Sequence, residues 1–375
     1  MTDAHATPHT TGRSPAQPAA HAAPGPDDAT EPRPGLPDRM RAVVQRTYGG
    51  SAAWRVETVE RPTPKPDEVL VEVHAAGLDR GTWHLAAGLP YLVRLGFGLR
   101  KPKNPVPGMD LAGRVAAVGT DVTRFAVGEE VFGIGVGTFA EYATAPEAKL
   151  VRRPSGLSAE AAAVSTISGI TALQALTDVG GLQPGRRVLV LGASGGVGTF
   201  AVQLARALGA TVDGVAGTRN LELVRSLGAE EVFDYTQQDL AGLERLYDLI
   251  LDMGGRNSLP RLRKILAPKG TLVIVGGEGG NRLTGGFGRQ FRAVALSPFV
   301  RQRLTMLISG EDLGSIERLA GHLAAGDVVP AIGSRFPLAD AAEALAQMEQ
   351  GRTSGKSVII VRPSTDETLR LGLGC

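Results

Sequence analysis

The sequence predicts an α/β protein built around a parallel sheet with helices on both faces. An apolar run over residues 188–191 has the aliphatic and β-branched content of a buried parallel strand. A glycine-rich turn follows it, and the amphipathic stretch 200–208 then indicates a helix that ends at Gly209. Strand and helix patterns alternate from there to residue 275, and this order is typical of a doubly wound sheet.

The periodicity places the elements of this sheet and of the chain that follows it. Strands are predicted at 188–191, 211–215, 231–233, 248–252 and 271–275, and helices at 200–208, 220–227 and 259–266. Beyond them we expect Gly-rich loops over 276–288, a helical stretch at 299–308 and a helix at 313–325. Residues 336–361 close the chain with a strand, a helix at 339–350 and a final strand at 357–361.

The region before the parallel sheet is rich in β-strand patterns instead. Residues 41–45 read as a strand, and residues 68–77 alternate apolar and polar side chains with a period of two. Further Gly-punctuated strand patterns lie at 106–119, 129–133 and 138–145. The composition changes near Gly156, and Ser158 is expected to cap the first helix of the second region.

Composition and charge exclude several classes of function. The chain has 375 residues, enough for about two domains, and is 43% hydrophobic and 21% charged. A net charge of +2 gives no reason to expect nucleic acid or an anionic membrane as a partner. The single cysteine, Cys375, excludes both an intrachain disulfide and a Cys-rich zinc lobe. No apolar run approaches the roughly 20 residues of a membrane span.

The two ends of the chain are expected to stay outside the folded domains. Residues 1–38 are rich in Pro, Ala, Thr and His and carry few large apolar side chains, which predicts a disordered tail. His5, His9 and His21 lie in this tail at irregular spacing and are not expected to bind a metal. The tail lacks the apolar core of a secretion signal, so we expect a cytoplasmic protein. Residues 363–375 are expected to be loose.

The glycine-rich turn carries the first functional signal. Gly192, Gly195 and Gly198 have the spacing Gly-x-x-Gly-x-x-Gly between a strand and a helix, and Gly196 lies among them. Such a turn lets the backbone approach a pyrophosphate, and the helix N-terminus supplies N–H donors and a positive dipole. The alternative is an ordinary tight turn without a ligand. The second strand–helix unit downstream favours the dinucleotide interpretation.

Several motifs together resemble one enzyme superfamily. They lie at residues 107–113, 118–119 with 125–132, 137–142, 191–198 and 227–235. From about Met40 to Val361 the chain resembles a medium-chain dehydrogenase/reductase, and most of all the zinc-independent quinone oxidoreductases and related NAD(P)-dependent alcohol dehydrogenases. The resemblance implies a GroES-like β-barrel catalytic domain at 39–160, a Rossmann domain at 161–305, and a return to the catalytic domain at 306–362.

The resemblance also indicates where a catalytic zinc would be bound. The positions of the usual ligands are occupied here by Asp79, by Met109 and by a residue near Val164 or Ser165. Zinc prefers a tetrahedral set of thiolate, imidazole or carboxylate donors, which these residues do not provide. We therefore expect no zinc. Asp79 and Asp110 are then interpreted as loop caps or surface ion pairs, and Met109 as a core side chain.

The end of the second parallel strand bears on the choice of nicotinamide cofactor. An NAD-preferring domain has an acid there, whereas this chain has Thr218 and Arg219, and Asp213 comes too early. A hydroxyl and a guanidinium suit a 2′-phosphate, and Tyr235 resembles a family residue near that phosphate. NADP(H) is therefore expected, although Arg219 as a solvated helix-start charge is the alternative.

Other cofactor contacts follow from the resemblance alone. It implies that Ser194, Gly196 and Val197 contact the pyrophosphate, and that Gly276 and Gly277 lie beside the nicotinamide. The segment Ser354, Gly355 and Lys356 matches one that closes over the cofactor in relatives.

The segment 79–84, interpreted as a catalytic loop, holds the candidate hydrogen-bond donors for a reaction without metal. Thr82 and His84 are expected to donate to the acceptor's carbonyl, with Trp83 as a pocket wall. Asp79 stands where relatives often carry Asn. The alternative is that Trp83 and His84 only pack in the barrel. Residues 89–102 form either a lid over a hydrophobic substrate, with Tyr91 and Phe97 as wall residues, or an ordinary packed loop.

The leading hypothesis is an NADPH-dependent, zinc-independent reductase of quinones or activated carbonyls and alkenes. Such acceptors need little electrophilic help, whereas simple ketones need more. The alternatives are an alcohol or aldehyde dehydrogenase, and an NADPH-binding sensor with weak catalysis. As in relatives, the edge strand of the Rossmann sheet, taken as residues 271–275 and beyond, offers a surface for a homodimer.

Overall fold

The computed structural model describes residues 1–2, 35–255, 257–277 and 281–362. The candidate tail histidines, Cys375 and the segment 363–375 lie outside the described residues. Ordered strand structure begins at Arg39, directly after the predicted tail.

The first half of the chain is dominated by antiparallel strands. Its elements are β1 (Arg39–Gln45), β2 (Trp54–Glu60), β3 (Glu68–Leu78), α1 (Arg80–Ala87), α2 (Arg94–Phe97), β4 (Asp110–Val118), β5 (Glu130–Ile134), β6 (Tyr142–Pro146) and β7 (Leu150–Arg152). β1 and β2 form an antiparallel pair, while β3 pairs with both β4 and β6. The strand predicted at 68–77 is confirmed as β3, although both of its faces are largely buried and burial does not alternate along it.

The second half of the chain alternates helices and parallel strands. Its elements are α3 (Ala159–Ala163), α4 (Thr166–Gln174), β8 (Arg187–Leu191), α5 (Gly196–Ala207), β9 (Thr211–Ala216), α6 (Leu221–Ser226), β10 (Val232–Asp234), β11 (Tyr247–Asp252), α7 (Leu259–Ile265), β12 (Leu266–Ile274), α8 (Phe287–Leu296), β13 (Arg303–Met306) and α9 (Leu313–Ala325). The predicted cap of α3 is confirmed, because the Ser158 hydroxyl accepts a hydrogen bond from the Ala161 N–H at 3.1 Å.

The parallel sheet has the strand order β10-β9-β8-β11-β12-β13. The order reverses between β8 and β11, and in a doubly wound sheet this point of reversal marks a crevice outside the carboxyl ends of the strands. In doubly wound sheets this crevice is where dinucleotides bind. The glycine-rich turn after β8 lies at its edge, so the fold places the first functional signal of the sequence at the expected position.

The end of the chain joins the first sheet. β14 (Ile332–Pro337) and β15 (Lys356–Ile360) are parallel to each other, with α10 (Ala341–Glu349) between them, and β15 pairs antiparallel with β3. The resulting seven-stranded sheet has the order β14-β15-β3-β4-β5-β7, and its seventh strand, β6, pairs with β3 off this path. By contrast, α9 packs with α4 and α5 in the core of the parallel-sheet region. The domain boundaries given above stay predictions.

Two predictions about local structure were wrong. Residues 299–308 are not a helix: α8 lies earlier, and β13 adds a parallel edge strand to β12. A short apolar run does not distinguish a buried strand from a helix, and here pairing with β12 decides. Residues 80–87 are not a loop but the helix α1, which Asp79 caps.

Candidate active site

The glycine-rich turn has the geometry of a phosphate cradle. Gly192 has a φ of +81°, and its N–H donates to the Val215 carbonyl oxygen at 3.1 Å. A Cβ atom at Gly198 would lie 2.1 Å from the Gly192 carbonyl oxygen, so this position accepts only glycine. α5 begins at Gly196 with Gly195 as its N-cap, and no side chain caps it. Its first-turn N–H groups therefore fit a pyrophosphate.

The C-terminal segment lies directly on this turn. The Gly355 N–H donates to the Ser194 carbonyl oxygen at 2.8 Å, and the Ser354 hydroxyl donates to Asn220 Oδ1 at 2.5 Å. A Cβ atom at Gly196 would lie 3.1 Å from Cδ of Lys356. Residues far apart in sequence thus form one surface beside the start of α5.

The ammonium group of Lys356 is buried inside the protein. The side chain is 1% exposed, and Nζ donates to the Ser168 hydroxyl at 2.9 Å. Asp110 Oδ2 lies 3.9 Å from Nζ. Lys356 therefore joins β15 to α4 and β4 from the inside of the molecule.

Asp110 is a buried residue, which corrects its interpretation as a surface ion pair. It is fully buried at the start of β4, and its Oδ1 accepts a hydrogen bond from the Ile167 N–H at 2.9 Å. Burial raises the pKa of Asp110 to about 8, against the opposing effect of Lys356. The Asp79 carboxylate raises this pKa further, so two acids lie close together below the crevice.

Asp79 has the capping role that the sequence left open. Its Oδ1 accepts a hydrogen bond from the Thr82 N–H at 2.7 Å, which satisfies one of the free donors at the start of α1. Asp79 and Met109 approach each other around Gly81, where a Cβ atom would lie 3.0 Å from Asp79 Oδ1 and 3.6 Å from Met109 Cε. Met109 packs against the hydrophobic core.

The remaining residues at the position of a family zinc site are apolar or already bonded. Val164 is fully buried, and the Ser165 hydroxyl donates to the Ala161 carbonyl oxygen at 2.6 Å. Within the described ranges, no three His, Cys, Asp or Glu residues are grouped so as to hold a metal ion.

Thr82 and His84 lie on α1, on the barrel side of the crevice. Thr82 is buried, and its Oγ1 has no hydrogen-bond partner in the described part of the chain. His84 Nδ1 lies 2.8 Å from the Leu89 carbonyl oxygen. Because a carbonyl only accepts, Nδ1 carries the proton, and Nε2 of the neutral ring is an acceptor. A neutral His84 therefore cannot donate to a substrate carbonyl through Nε2.

The segment that follows α1 connects the barrel to the parallel-sheet region. The Tyr91 N–H donates to the Arg282 carbonyl oxygen at 2.8 Å, and the Leu92 N–H donates to that of Leu283 at 3.2 Å. The side chains of Tyr91 and Phe97 are both partly exposed to solvent. This segment thus spans the crevice, although its role as a lid stays a prediction.

The candidate 2′-phosphate residues are close to one another at the ends of β9 and β10. Thr218 and Arg219 follow β9, and a Cβ atom at Gly217 would lie 3.3 Å from the Tyr235 hydroxyl oxygen. An acid that was not predicted as a site residue also lies here. Asp234, at the end of β10, accepts a hydrogen bond from the Thr218 hydroxyl at 2.6 Å. Hydrogen bonds from Thr218 and Thr236 lower the pKa of Asp234, so it is a carboxylate at neutral pH.

A buried ion pair, which the sequence had not indicated, lies near Gly276 and Gly277. Asp252 ends β11 and is 1% exposed; its Oδ1 accepts the Gly255 N–H at 2.9 Å and its Oδ2 accepts Arg289 Nη2 at 2.6 Å. Burial raises the pKa of Asp252, and Arg289 opposes that shift. The position of Asp252 at a strand end was a usable signal. Arg289 was missed because no helix was predicted between the loops at 276–288 and residue 299.

Comparison with known proteins identifies the family. The model described as "Alcohol dehydrogenase GroES-like domain" matches residues 65–155, and "Zinc-binding dehydrogenase" matches residues 227–359. The chloroplast envelope quinone oxidoreductase homolog of Arabidopsis thaliana is 34% identical over 341 residues, covering 86% of this chain and 98% of that protein. Human quinone oxidoreductase is 31% identical over 343 residues, with coverage of 86% and 98%.

The chain belongs to the medium-chain dehydrogenase/reductase superfamily. It falls in the quinone oxidoreductase-like branch and is a nicotinamide-dependent oxidoreductase. The GroES-like and Rossmann folds expected from its motifs are confirmed. The "Zinc-binding dehydrogenase" match begins at residue 227, beyond all the positions where a family zinc would be bound.

Solved structures of this superfamily show the same fold. The quinone oxidoreductase from Coxiella burnetii has a TM-score of 0.76 at 26% identity, covering 86% of this chain and all (100%) of that one. Mycobacterial Rv1454c complexed with NADPH gives 0.73 at 26% identity, with coverage of 86% and 100%. An NAD-dependent alcohol dehydrogenase gives 0.73 at 30% identity, also with 86% and 100%. No helix among the described residues is long and apolar enough to cross a bilayer.

Proposed function

We propose that this oxidoreductase transfers hydride from NADPH, without zinc, to a quinone or an activated carbonyl or alkene. The observation that carries the proposal is the state of the residues at the family zinc position. Asp79 uses one oxygen to cap α1, Met109 is a core side chain, and Val164 is apolar and buried. That donor set does not fit zinc. Acceptors that are reduced without a Lewis acid are therefore the expected substrates.

The Gly-rich turn is proposed to hold the pyrophosphate of the cofactor. Backbone N–H groups at Gly196, Val197 and Gly198 face the crevice end of β8, with Ser194 at the same turn. Gly276 and Gly277 leave space beside the nicotinamide, which supplies the hydride when the cofactor is bound. Gly355 closes the cradle through its hydrogen bond to Ser194.

The preference for NADPH is proposed from the side chains at the ends of β9 and β10. Arg219 is exposed and makes no ion pair with any described residue, so its guanidinium is available for a 2′-phosphate. The Tyr235 hydroxyl lies beside Gly217, two residues before Arg219 in the chain. The Asp234 carboxylate opposes this preference by charge repulsion, but its oxygens are engaged by Thr218 and Thr236. We therefore expect a modest preference.

Arg219 is the residue to test for cofactor choice. Because its charge would bind only the phosphorylated cofactor, Arg219→Ala should raise KM for NADPH about tenfold and leave KM for NADH unchanged. Arg225→Ala, on the neighbouring helix and paired with Glu222, is the matched control. A wild-type preference for NADH that survives Arg219→Ala would reject the assignment.

On the substrate side, Thr82 is proposed as a donor to the acceptor oxygen and Asp79 as the residue that positions it. The buried Thr82 hydroxyl lacks a partner in the described structure, and such groups are rare without a functional reason. His84 would contribute as a donor only when protonated. If His84→Phe leaves single-turnover hydride transfer unchanged, His84 has no chemical role.

A substrate panel tests the function as a whole. Quinones, enones and aldehydes are reduced with NADPH under the same conditions, and the proposal expects kcat/KM to be highest for the first two. The likeness to an NAD-dependent alcohol dehydrogenase favours a second candidate, reversible oxidation of alcohols. Faster turnover of alcohols than of quinones would establish that candidate. Cofactor binding without turnover of any substrate would favour the sensor hypothesis.

The proposed homodimer would use the free edge of β13. Among the described residues β12 is the sole strand partner of β13, so the other edge of β13 is not covered by a strand. Sedimentation of the full chain tests this: a single species of monomer mass over the micromolar range would reject the dimer.

A further inference from the structure

Helix α8 turns its apolar side chains toward solvent. Phe287, Phe291 and Val294 share one face at the spacing i, i+4 and i+7, and they are 37%, 58% and 42% exposed. The ring centroids of the two phenylalanines lie 6.5 Å apart. The buried positions of this helix are instead Gln290 and Ala293. α8 therefore reverses the usual arrangement, in which the apolar face of a surface helix packs against the core.

The segment that follows α1 continues this exposed apolar surface. Leu92, Leu95 and Leu99 are all exposed. The Leu92 N–H donates to the Leu283 carbonyl oxygen at 3.2 Å, and the Leu283 side chain, shortly before α8, is exposed as well. Single exposed apolar side chains are ordinary, whereas a joined set of them marks a contact surface for a partner.

Cations accompany these apolar side chains, and acids do not. Residues 89–109 and 281–296 contain no Asp or Glu. The exposed cations in the two segments are Arg100, Lys101, Lys103, Arg282 and Arg292. The net charge of the whole chain is only +2, so positive charge is concentrated here. Residues 91–103 and 282–294 together form what we call the basic apolar surface.

A second copy of this chain is a poor partner for the basic apolar surface. A twofold contact of this surface with itself would place the exposed cations of one copy against those of the other, and neither segment supplies an acid to pair with them. Exposed apolar side chains bordered by Lys and Arg are instead typical of a helix that lies in the interface of an anionic bilayer. The apolar side chains then enter the headgroup boundary, while the cations stay beside the lipid phosphates.

We propose that the basic apolar surface docks on an anionic lipid bilayer, with α8 lying in the plane of the interface. α8 has ten residues, so it rests on the bilayer and does not cross it. The apolar face of α8 supplies the insertion, and the cations of both segments supply the attraction to anionic headgroups. The inference is independent of the proposed function, because it concerns where the protein binds and not which acceptor it reduces.

Co-sedimentation with lipid vesicles tests the proposal. The full chain is mixed with vesicles of phosphatidylcholine alone, or with vesicles that also contain about one-third phosphatidylglycerol. Partition onto the anionic vesicles should be at least about tenfold stronger, because only they attract the exposed cations. Raising the salt concentration from about 0.1 M to about 0.5 M should weaken this binding. Equal partition onto both kinds of vesicle, or binding to neither, would overturn the proposal.

Two variants separate the apolar contribution from the charge. Phe291→Gln should weaken partition onto anionic vesicles about tenfold, because the ring no longer enters the interface. Arg292→Gln should weaken it about fivefold, and Arg292→Lys should restore it, since an anionic headgroup surface responds to the charge and not to the guanidinium.

The matched controls lie at the other end of the parallel sheet. Leu246 precedes the amino end of β11, whereas the carboxyl end of β11 contacts α8 through Asp252 and Arg289. Leu246 is 50% exposed, and Lys269, near the amino end of β12, is exposed too. Leu246→Gln and Lys269→Gln should partition like the wild type. Thermal unfolding confirms that each variant is folded. Controls that lose as much binding as Phe291→Gln would refute a docking surface at α8.

The oligomeric state distinguishes a membrane from a second copy as the partner. Sedimentation velocity compares the wild type and Phe291→Gln without lipid over the micromolar range. The proposal expects the same species for both proteins. If Phe291→Gln loses a dimer that the wild type forms, the basic apolar surface is an interface between copies and the proposal fails.

Discussion

The two ends of the crevice are built in different ways. The proposed pyrophosphate end is mostly backbone: a strand, four glycines within residues 192–198 and the uncapped start of α5. The proposed acceptor end is made of side chains from distant segments, namely Asp79 at the N-cap of α1, Thr82 on α1 and Asp110 on β4. A local backbone motif can therefore be predicted from sequence, whereas side chains from distant segments come together only after folding.

The largest effect is expected where the backbone cradle itself is broken. In Gly198→Ala the new Cβ would lie 2.1 Å from the Gly192 carbonyl oxygen, so the turn must move. We expect the Kd for NADPH to rise about 100-fold or more, equivalent to about 2.8 kcal/mol, as measured by fluorescence titration. Gly321→Ala, on α9 with no atom near the new Cβ, is the control. Normal NADPH binding by Gly198→Ala would mean that the turn is not the cofactor cradle.

The next effect concerns the buried pair that joins β15 to the barrel. Lys356→Met leaves Asp110 without its cation and Ser168 without its donor, so the free energy of unfolding should fall by about 2–4 kcal/mol in urea titrations at pH 9, above the pKa of Asp110. Adding Asp110→Asn should recover part of this loss, because no buried charge then remains. The exposed pair of Lys149 and Glu311 is the control, with an expected loss under about 1 kcal/mol for Lys149→Met. Strictly additive losses at Lys356 and Asp110 would show that the two residues do not interact.

The free energy of unfolding is expected to depend on pH through the titration of Asp110. Its pKa is raised from 3.8 to about 8 in the folded protein, so the folded state binds more protons than the unfolded state between these values. Its contribution to stability is therefore full below pH 4 and is lost as the pH rises toward 8, with a slope of at most about 1.4 kcal/mol per pH unit. The difference in unfolding free energy between wild type and Asp110→Asn should show this trend. A difference that is independent of pH would contradict the burial effect.

The smallest effect should come from a single hydroxyl at the acceptor end. Thr82→Val removes a buried Oγ1 without a partner in the described structure, so stability should stay equal or rise, while single-turnover hydride transfer slows about tenfold. Thr138→Val removes a similarly buried and unpaired hydroxyl outside the proposed site. It should leave the rate unchanged. Equal rates for both variants would remove Thr82 from the proposed mechanism.

Particular elements show why some predictions succeeded and others did not. β8, α5 and α9 were predicted within a few residues, because each has a strong period and a clear glycine or cap at its end. β13 was taken for a helix, since a four-residue edge strand carries too little periodicity and is defined by its pairing with β12. α1 was taken for a loop because Asp79 was interpreted as a loop cap and not as the N-cap of a helix.

The sequence by itself determined the fold class, the superfamily and the position of the glycine turn, because these depend on periodicity and on residues close together in the chain. Only the tertiary structure decided what Asp79, Asp110, Lys356 and Arg289 do. Their roles depend on burial and on partners from other segments of the chain, such as Ser168 for Lys356 and Asp252 for Arg289. Burial sets the free-energy cost of keeping each group charged, and the hydrogen-bond partner determines which atoms of that group are already bonded.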